Sequence, residues 1–151
     1  MPNKPMPKIV NGVFGLAFDT NGNVLLTQRN DPDEPKAHLK WQIPGGGQEF
    51  GEHPEETLKR ELNEELGLTD FTLLNPRPFV SFSIWGKGES AVHVNLFTYI
   101  ISIGTQTPHI GDEETADWKW YTIQETLALD TLSNVKETVL QAHKIYTETL
   151  C

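Results

Sequence analysis

Residues 45–68, GGGQEFGEHPEETLKRELNEELGL, constrain this chain more than any other stretch. Pro54 suits the first turn of a helix, Leu58, Leu62 and Leu66 recur at helical spacing, and Gly67 is a good terminator, so the spacing predicts a helix over Pro54–Leu66 anchored by one leucine stripe. The same helix carries Glu61, Glu64 and Glu65 at spacings of three and four, which turns all three toward one side beside the leucines. Local stability opposes this arrangement. Like charges so spaced cost about 0.2–0.5 kcal/mol per pair. Acids in the last turn also oppose the helix dipole by about 0.3–1 kcal/mol. A solvated acidic face is the plain alternative. An all-carboxylate cluster, however, suits a hard divalent cation, and the scarcity of cysteine argues against a thiolate zinc site. Mg²⁺ is the natural occupant, with Mn²⁺ as a substitute.

The flanks supply a sheet for that helix to pack on. Residues 10–18 and 24–28 read as strands of a hairpin closed at Asp19-Thr-Asn-Gly-Asn23, because Asn-Gly tolerates positive φ. Residues 29–41 read as a long loop, a common place for function. Residues 71–85 and 92–103 are rich in β-branched and aromatic residues, with Pro76 and Pro78 implying an edge or a bend in the first. Residues 117–122 (DWKWYT) alternate like a further strand, and residues 134–149 read as an amphipathic helix with Val135, Val139, Leu140 and Ile145 facing the core. The order of elements predicts an α/β fold, a mixed β-sheet sandwiched between helices.

Length and charge narrow the classes. A chain of 151 residues without repeat or linker is one domain, read here as 9–151 after a loose, Pro-broken arm over residues 1–8. No apolar run approaches the roughly 20 residues of a membrane span, and the opening Met-Pro-Asn-Lys-Pro lacks the core of a signal peptide; the expectation is a soluble, cytoplasmic chain with no membrane partner. The single cysteine, Cys151, excludes an intrachain disulfide. A net charge of −9 repels a nucleic-acid backbone, so a phosphorylated ligand needs a metal or a local basic patch.

Within residues 45–68 the pattern G-x5-E-x7-R-E-U-x-E-E-x-G-U, with U a bulky aliphatic residue, is filled at every specified position: Gly46, Glu52, Arg60, Glu61, Leu62, Glu64, Glu65, Gly67 and Leu68. The chain therefore resembles the Nudix hydrolase family, and the lead-in Trp41-Gln-Ile-Pro-Gly-Gly and the late Asp-Trp-Lys-Trp extend the likeness over nearly the whole domain, implying the family's α/β/α sandwich. The resemblance implies that Glu61, Glu64 and Glu65 ligate divalent ions, helped by Glu52 and the backbone carbonyl of Gly45. It implies that Arg60 orients its neighbouring glutamates. The implied reaction is attack of an activated water on one phosphorus of a diphosphate linked to another group. Either Glu61 or an acid of the loop at Asp112-Glu113-Glu114 would be the general base, with Glu113 and Glu114 the candidates on that loop.

For the substrate the residues say less. Arg29 matches a position where relatives place a basic group near the substrate, and Trp41, Phe82 and Trp85 could stack a base, core packing being the alternative. Neither the proline of ADP-ribose hydrolases nor the tyrosine of diadenosine-polyphosphate hydrolases stands sixteen to eighteen residues past the motif, where Ile84, Trp85 and Gly86 occur. The likeness is nearest to the MutT-like nucleoside-triphosphate diphosphatases, which implies cleavage of a (deoxy)nucleoside triphosphate, modified or not, to monophosphate and pyrophosphate. Hydrolysis of ADP-ribose, nucleotide sugars or dinucleoside polyphosphates is the alternative. A non-catalytic nucleotide sensor would be marked by a damaged motif, and an isoprenoid-diphosphate isomerase by a suitably placed cysteine. The resemblance leaves monomer and homodimer both open.

Overall fold

The structure, a computed structural model, describes residues 6–150; residues 1–5 of the expected arm, and Cys151, lie outside the described residues. The elements in chain order are β1 (Lys8–Ala17), β2 (Val24–Arg29), β3 (Trp41–Gln42), β4 (Gly45–Gly47), α1 (Pro54–Leu66), β5 (Thr72–Leu73), β6 (Phe79–Trp85), β7 (Val92–Ser102), β8 (Thr115–Tyr121), α2 (Ile123–Ala128) and α3 (Val135–Leu150). They form the expected mixed α/β sandwich, with the strands divided between two sheets. The larger has the order β4-β1-β7-β5, with β6 also pairing β7; the smaller is β3-β2-β8.

Strand β1 runs parallel to β7 from Lys8↔Val92 to Ala17↔Ile101, and antiparallel to β4. Both of its edges are therefore occupied, which corrects the expected hairpin. The turn itself is present: Asp19 Oδ1 accepts from the backbone N–H groups of Asn21 and Asn23 at 2.9 Å, and Gly22 has φ 79°. Only Phe18 and Val24 bridge across it before β2 departs to pair with β3 and β8. The expected strand at residues 71–85 breaks into β5 and β6 around Pro76 and Pro78, as prolines without a ladder donor require.

Strand side chains alternate between two cores. Val13, Ala17, Leu25 and Ile101 face α1, where Leu58, Leu62 and Leu66 are completely or almost completely buried. Leu16, Val24, Leu26 and Ile100 face α3 and meet Val135, Val139 and Ala142. Ile145 packs on that second core, but Leu140, expected there, is exposed. It stands about 100° round the helix from Val139, off the stripe that Val135, Val139 and Ala142 define. Among the described residues no helix is long and apolar enough to cross a membrane.

Candidate active site

Helix α1 begins with a capping box: the His53 side chain accepts from Glu55 N, and the Glu56 carboxylate accepts from His53 N. It ends at Gly67 in the left-handed region, φ 65°. With both ends fixed and the leucine face buried, the carboxylates of its other side are held against β4. Two of the three β4 glycines answer to close approach, Gly45 to strand β1 and Gly46 to the Glu61 carboxyl, while a Cβ on Gly47 would meet nothing. A Cβ on Gly45, at φ 148°, would strike the Val13 carbonyl oxygen, and one on Gly46 would lie 2.5 Å from Glu61 Cδ.

Glu65 is 7% exposed, and the Gly45 N–H approaches its Oε2 at 3.4 Å. Burial, reinforced by the charges of Glu61, Asp112 and Glu114, pushes its pKa up to about 9. Burial also raises Glu61, against the pull of Arg60. Arg60 is the hub. Its Nε and Nη2 donate to the two carboxylate oxygens of Glu52 at 2.8 and 3.0 Å, Nη2 also to the Gly47 carbonyl, and Nη1 to Glu61 at 2.8 Å and Glu64 at 3.4 Å. Chiefly through that bidentate pair, Glu52 is held at about 2, helped by the Glu49 N–H and the Thr57 hydroxyl. Glu52 is thus an anchor of the loop, its oxygens already engaged, whereas Glu65 carries no cationic partner.

The loop before β8 divides its acids. Glu114 lines the polar cavity with Glu61 and Glu65 and also borders a surface depression beside Glu64 and Asp112, whereas Glu113 lines only that depression. Among the described residues no three acids or imidazoles are gathered closely enough to hold an ion as they stand, since Arg60 occupies the space between Glu52, Glu61 and Glu64. The donor chemistry nonetheless fits a hard divalent cation: the converging groups are carboxylates, and a buried Glu65 among like charges can ionise at neutral pH only with a positive partner.

Two cavities meet at Phe14, Arg29, Gln42 and Val94. The polar one, about 430 Å³, holds Gly45–Gly47, Glu61, Glu65 and Glu114. The apolar one, about 240 Å³, lies between Phe14, Val94 and Leu96 of the larger sheet and Trp85, Ile43 and Asn134. Among the described residues Arg29 is the only basic one lining either, and its guanidinium pairs with Asp31 at 3.1 Å. Of the three candidate aromatics only Trp85 lines the cleft. Trp41 packs edge-on against Tyr121 in the α3-side core, and Phe82, 59% exposed, stacks on His93 on the opposite face of β6. Phe14, Gln42 and Asn134 were not singled out from the sequence. Asn134, at φ 70°, precedes α3 and accepts from Thr138 N, so its only sequence signal is a helix start, which does not reveal a side chain lining a pocket.

A family model described as NUDIX domain matches residues 8–142. Among curated proteins, the chain is 35% identical over 69 residues to an RNA pyrophosphohydrolase of Gluconacetobacter diazotrophicus, a stretch covering 44% of this chain and 41% of that protein. It is 39% identical over 61 residues to an 8-oxo-dGTP diphosphatase of Haemophilus influenzae, covering 40% and 43%. The chain thus spans less than half the length of either relative. The crystal structure of the MutT protein from Methanosarcina mazei Go1 superposes with a TM-score of 0.67 at 19% identity, over 93% of this chain and 96% of that one, a likeness of fold.

Proposed function

The chain belongs to the Nudix family, and from that premise we propose that it is a divalent-metal-dependent hydrolase of phosphoanhydride bonds whose substrate is a (deoxy)nucleoside triphosphate, modified or not, cut to monophosphate and pyrophosphate. The observation that carries this reading is the joined cleft: an apolar pocket faced by Phe14 and Trp85 opens directly onto the carboxylates of Glu61, Glu65 and Glu114. A base bound in the first would bring its phosphates over the second. Gln42 offers an amide that can both donate and accept at the base edge, and Asn134, whose Nδ2 donates to the Phe82 carbonyl at 3.4 Å, offers its amide oxygen. Arg29, at the junction, can exchange Asp31 for a phosphate oxygen.

Glu61, Glu64 and Glu65, with the Gly45 carbonyl, would hold Mg²⁺ or Mn²⁺, which when bound offsets their repulsion, stabilises charge on phosphoryl oxygens and lowers the pKa of water. Arg60 keeps Glu61 and Glu64 aligned and ties them to Glu52. Glu114 takes the proton as the water oxygen bonds to a phosphorus flanking the α–β bridge and the bridging P–O bond breaks, pyrophosphate leaving if the α-phosphorus is attacked and monophosphate leaving if the β-phosphorus is. It is better suited than Glu61, whose Oε1 is engaged by Arg60.

The similarity to an RNA pyrophosphohydrolase favours a second reading, in which the same bond is cut at an RNA 5′ end. The net charge of −9 and the single lining cation work against a polyanionic chain leaving the cleft. Hydrolysis of ADP-ribose, nucleotide sugars and dinucleoside polyphosphates belongs in the same substrate screen. Turnover of a nucleoside triphosphate in ¹⁸O-labelled water, read by mass spectrometry, tests the assignment. Label is expected in the monophosphate or the pyrophosphate. Orthophosphate and nucleoside diphosphate as primary products would overturn both the reaction and the pose.

A further inference from the structure

Glu114 stands on a stretch without regular structure, between β7 and β8, and lines a cleft already holding Glu61 and Glu65, close enough for its charge to act on both. Like charge pushes such a loop outward, so something must hold it in. Helix α1 supplies one attachment: its last carbonyls, those of Leu66 and Glu65, accept from His109 N at 2.8 Å and Gly111 N at 2.9 Å. Gly111 sits so close that a Cβ there would strike the Glu64 carbonyl oxygen. These bonds fix residues 109–111 but not the three acids that follow.

The sheet does not fix them either. The β2–β8 ladder slips just there: Gln28 opposes Asp117, Arg29 opposes Thr115, and Ala116 is the extra residue of a bulge. Beyond the bulge, Asn30 takes over. Its backbone N–H donates to the Glu114 carbonyl at 2.8 Å, and its side-chain Nδ2 donates to the Glu113 carbonyl at 2.7 Å. One residue thus grips two consecutive carbonyls and sets the orientation of the Glu113-Glu114 peptide, at a place where Glu114 borders both the cleft and the surface depression and Glu113 only the depression. Any residue but proline provides the first bond; only a side chain with a donor of suitable reach provides the second. Aspartate would turn a carboxylate toward that carbonyl and add another negative charge to the cleft.

We propose that Asn30 is a positioning residue for the hydrolysis, acting through the Glu113 and Glu114 carbonyls to hold the Glu114 carboxylate in the cleft. The inference rests on the reading of Glu114 as the proton acceptor, and a double-mutant cycle separates the two. Steady-state kinetics with dGTP and Mg²⁺ are measured for the wild type, Asn30→Ala, Asn30→Ser, Glu114→Gln and the Asn30→Ala, Glu114→Gln pair. Asn30→Ala should lower kcat roughly tenfold or more, with KM held within about twofold. Asn30→Ser, which keeps a donor, should recover part of the loss. In the Glu114→Gln background the alanine change should alter kcat by less than about twofold, because there is no carboxylate left to position. An equal loss in both backgrounds, a rise in KM at unchanged kcat, or no loss at all would overturn the assignment of Asn30. If Glu114→Gln itself leaves kcat intact, the role of Glu114 falls and that of Asn30 with it. If Glu114→Gln is slow while Asn30→Ala is not, only the positioning role falls. Asn30 is exposed, so both variants should fold, and thermal melting verifies this; should the alanine variant melt early, the serine variant carries the cycle.

Discussion

Glu65→Gln removes one titrating group from the cleft without changing the size of the side chain. Below pH 4.5 the carboxyl is protonated in both the folded and the unfolded chain and has no effect on the balance between them. Above that value the unfolded chain ionises freely, while the folded one, raised to about 9 by burial and by the charge of Glu61, does not. Stability is therefore lost steadily as pH rises from 4.5 to about 9. At about 1.36 kcal/mol per pH unit, the loss reaches about 3 kcal/mol at pH 7. Glutamine escapes it, being neutral in both states. Its amide can accept the Gly45 N–H but brings a second donor hydrogen into a buried place, which costs about 1 kcal/mol. Without metal, Glu65→Gln should then be the more stable protein by about 2 kcal/mol at pH 7, or roughly 4–8 °C in a domain of this size. The advantage should vanish at about pH 5 and reverse by about 1 kcal/mol at pH 4, where only the cost of the extra donor remains. Thermal melts in EDTA from pH 4 to pH 9 measure it, and repeating them with excess Mg²⁺ should raise the wild type and leave the variant nearly unmoved. Parallel melting curves at all pH values would refute the account of Glu65, and a variant less stable than wild type at pH 8 would do so more severely.

Glu64, more exposed than its neighbours and only 3.4 Å from Arg60 Nη1, is a milder case: Glu64→Gln should change metal-free stability by less than about 0.5 kcal/mol, yet shrink the melting shift produced by Mg²⁺. An undiminished shift would remove it from the ion site. Gly46→Ala sets a methyl group where the Glu61 carboxyl now lies, so kcat should fall about tenfold or more while the melting temperature drops only a few degrees. Near-normal turnover in that variant would mean that Glu61 is free to move without consequence.

How far the site could be read in advance follows from the range of the interactions that make it. Helix α1 is local: Pro54, the leucine stripe and Gly67 specify it within one segment, and its observed bounds are those expected. The smaller helix α2, capped by Thr122 and Glu125, escaped notice because a six-residue element has too short a period to register. The hairpin failed because β1 finds its long partner in β7, about eighty residues later, and no local pattern reports a parallel pairing. Phe82 and Trp85 illustrate a different limit. Three residues apart on one strand, they cannot share a face, so a base pocket could recruit only one of them. Alternation alone states that much; which face meets the cleft is decided by where Asn134 and Ile43 lie, far along the chain. The Glu113-Glu114 peptide is likewise held by Asn30, more than eighty residues away.

The helix can carry its unfavourable charges because its two sides differ in magnitude. Burying Leu58, Leu62 and Leu66 contributes about 1.5–3 kcal/mol each, at most about 5–9 kcal/mol together. The like-charge pairs cost a few tenths each, and neutralising Glu65 at pH 7 costs about 3 kcal/mol. Packing wins, so the carboxylates remain in place without a cation. The margin is narrow enough that an ion restoring charge to Glu65 would be felt by the whole domain. Arg60 cannot substitute for that ion. Its donors are spent on Glu52, Glu61, Glu64 and the Gly47 carbonyl, and none reaches Glu65. The arginine thus secures the outer glutamates and leaves the innermost one without a cation, met at Oε2 only by the long Gly45 N–H contact and repelled by the charge of Glu114. In the proposed pose, a phosphate chain extending from the apolar pocket would lead to this same place, where a buried carboxyl lacks a cation.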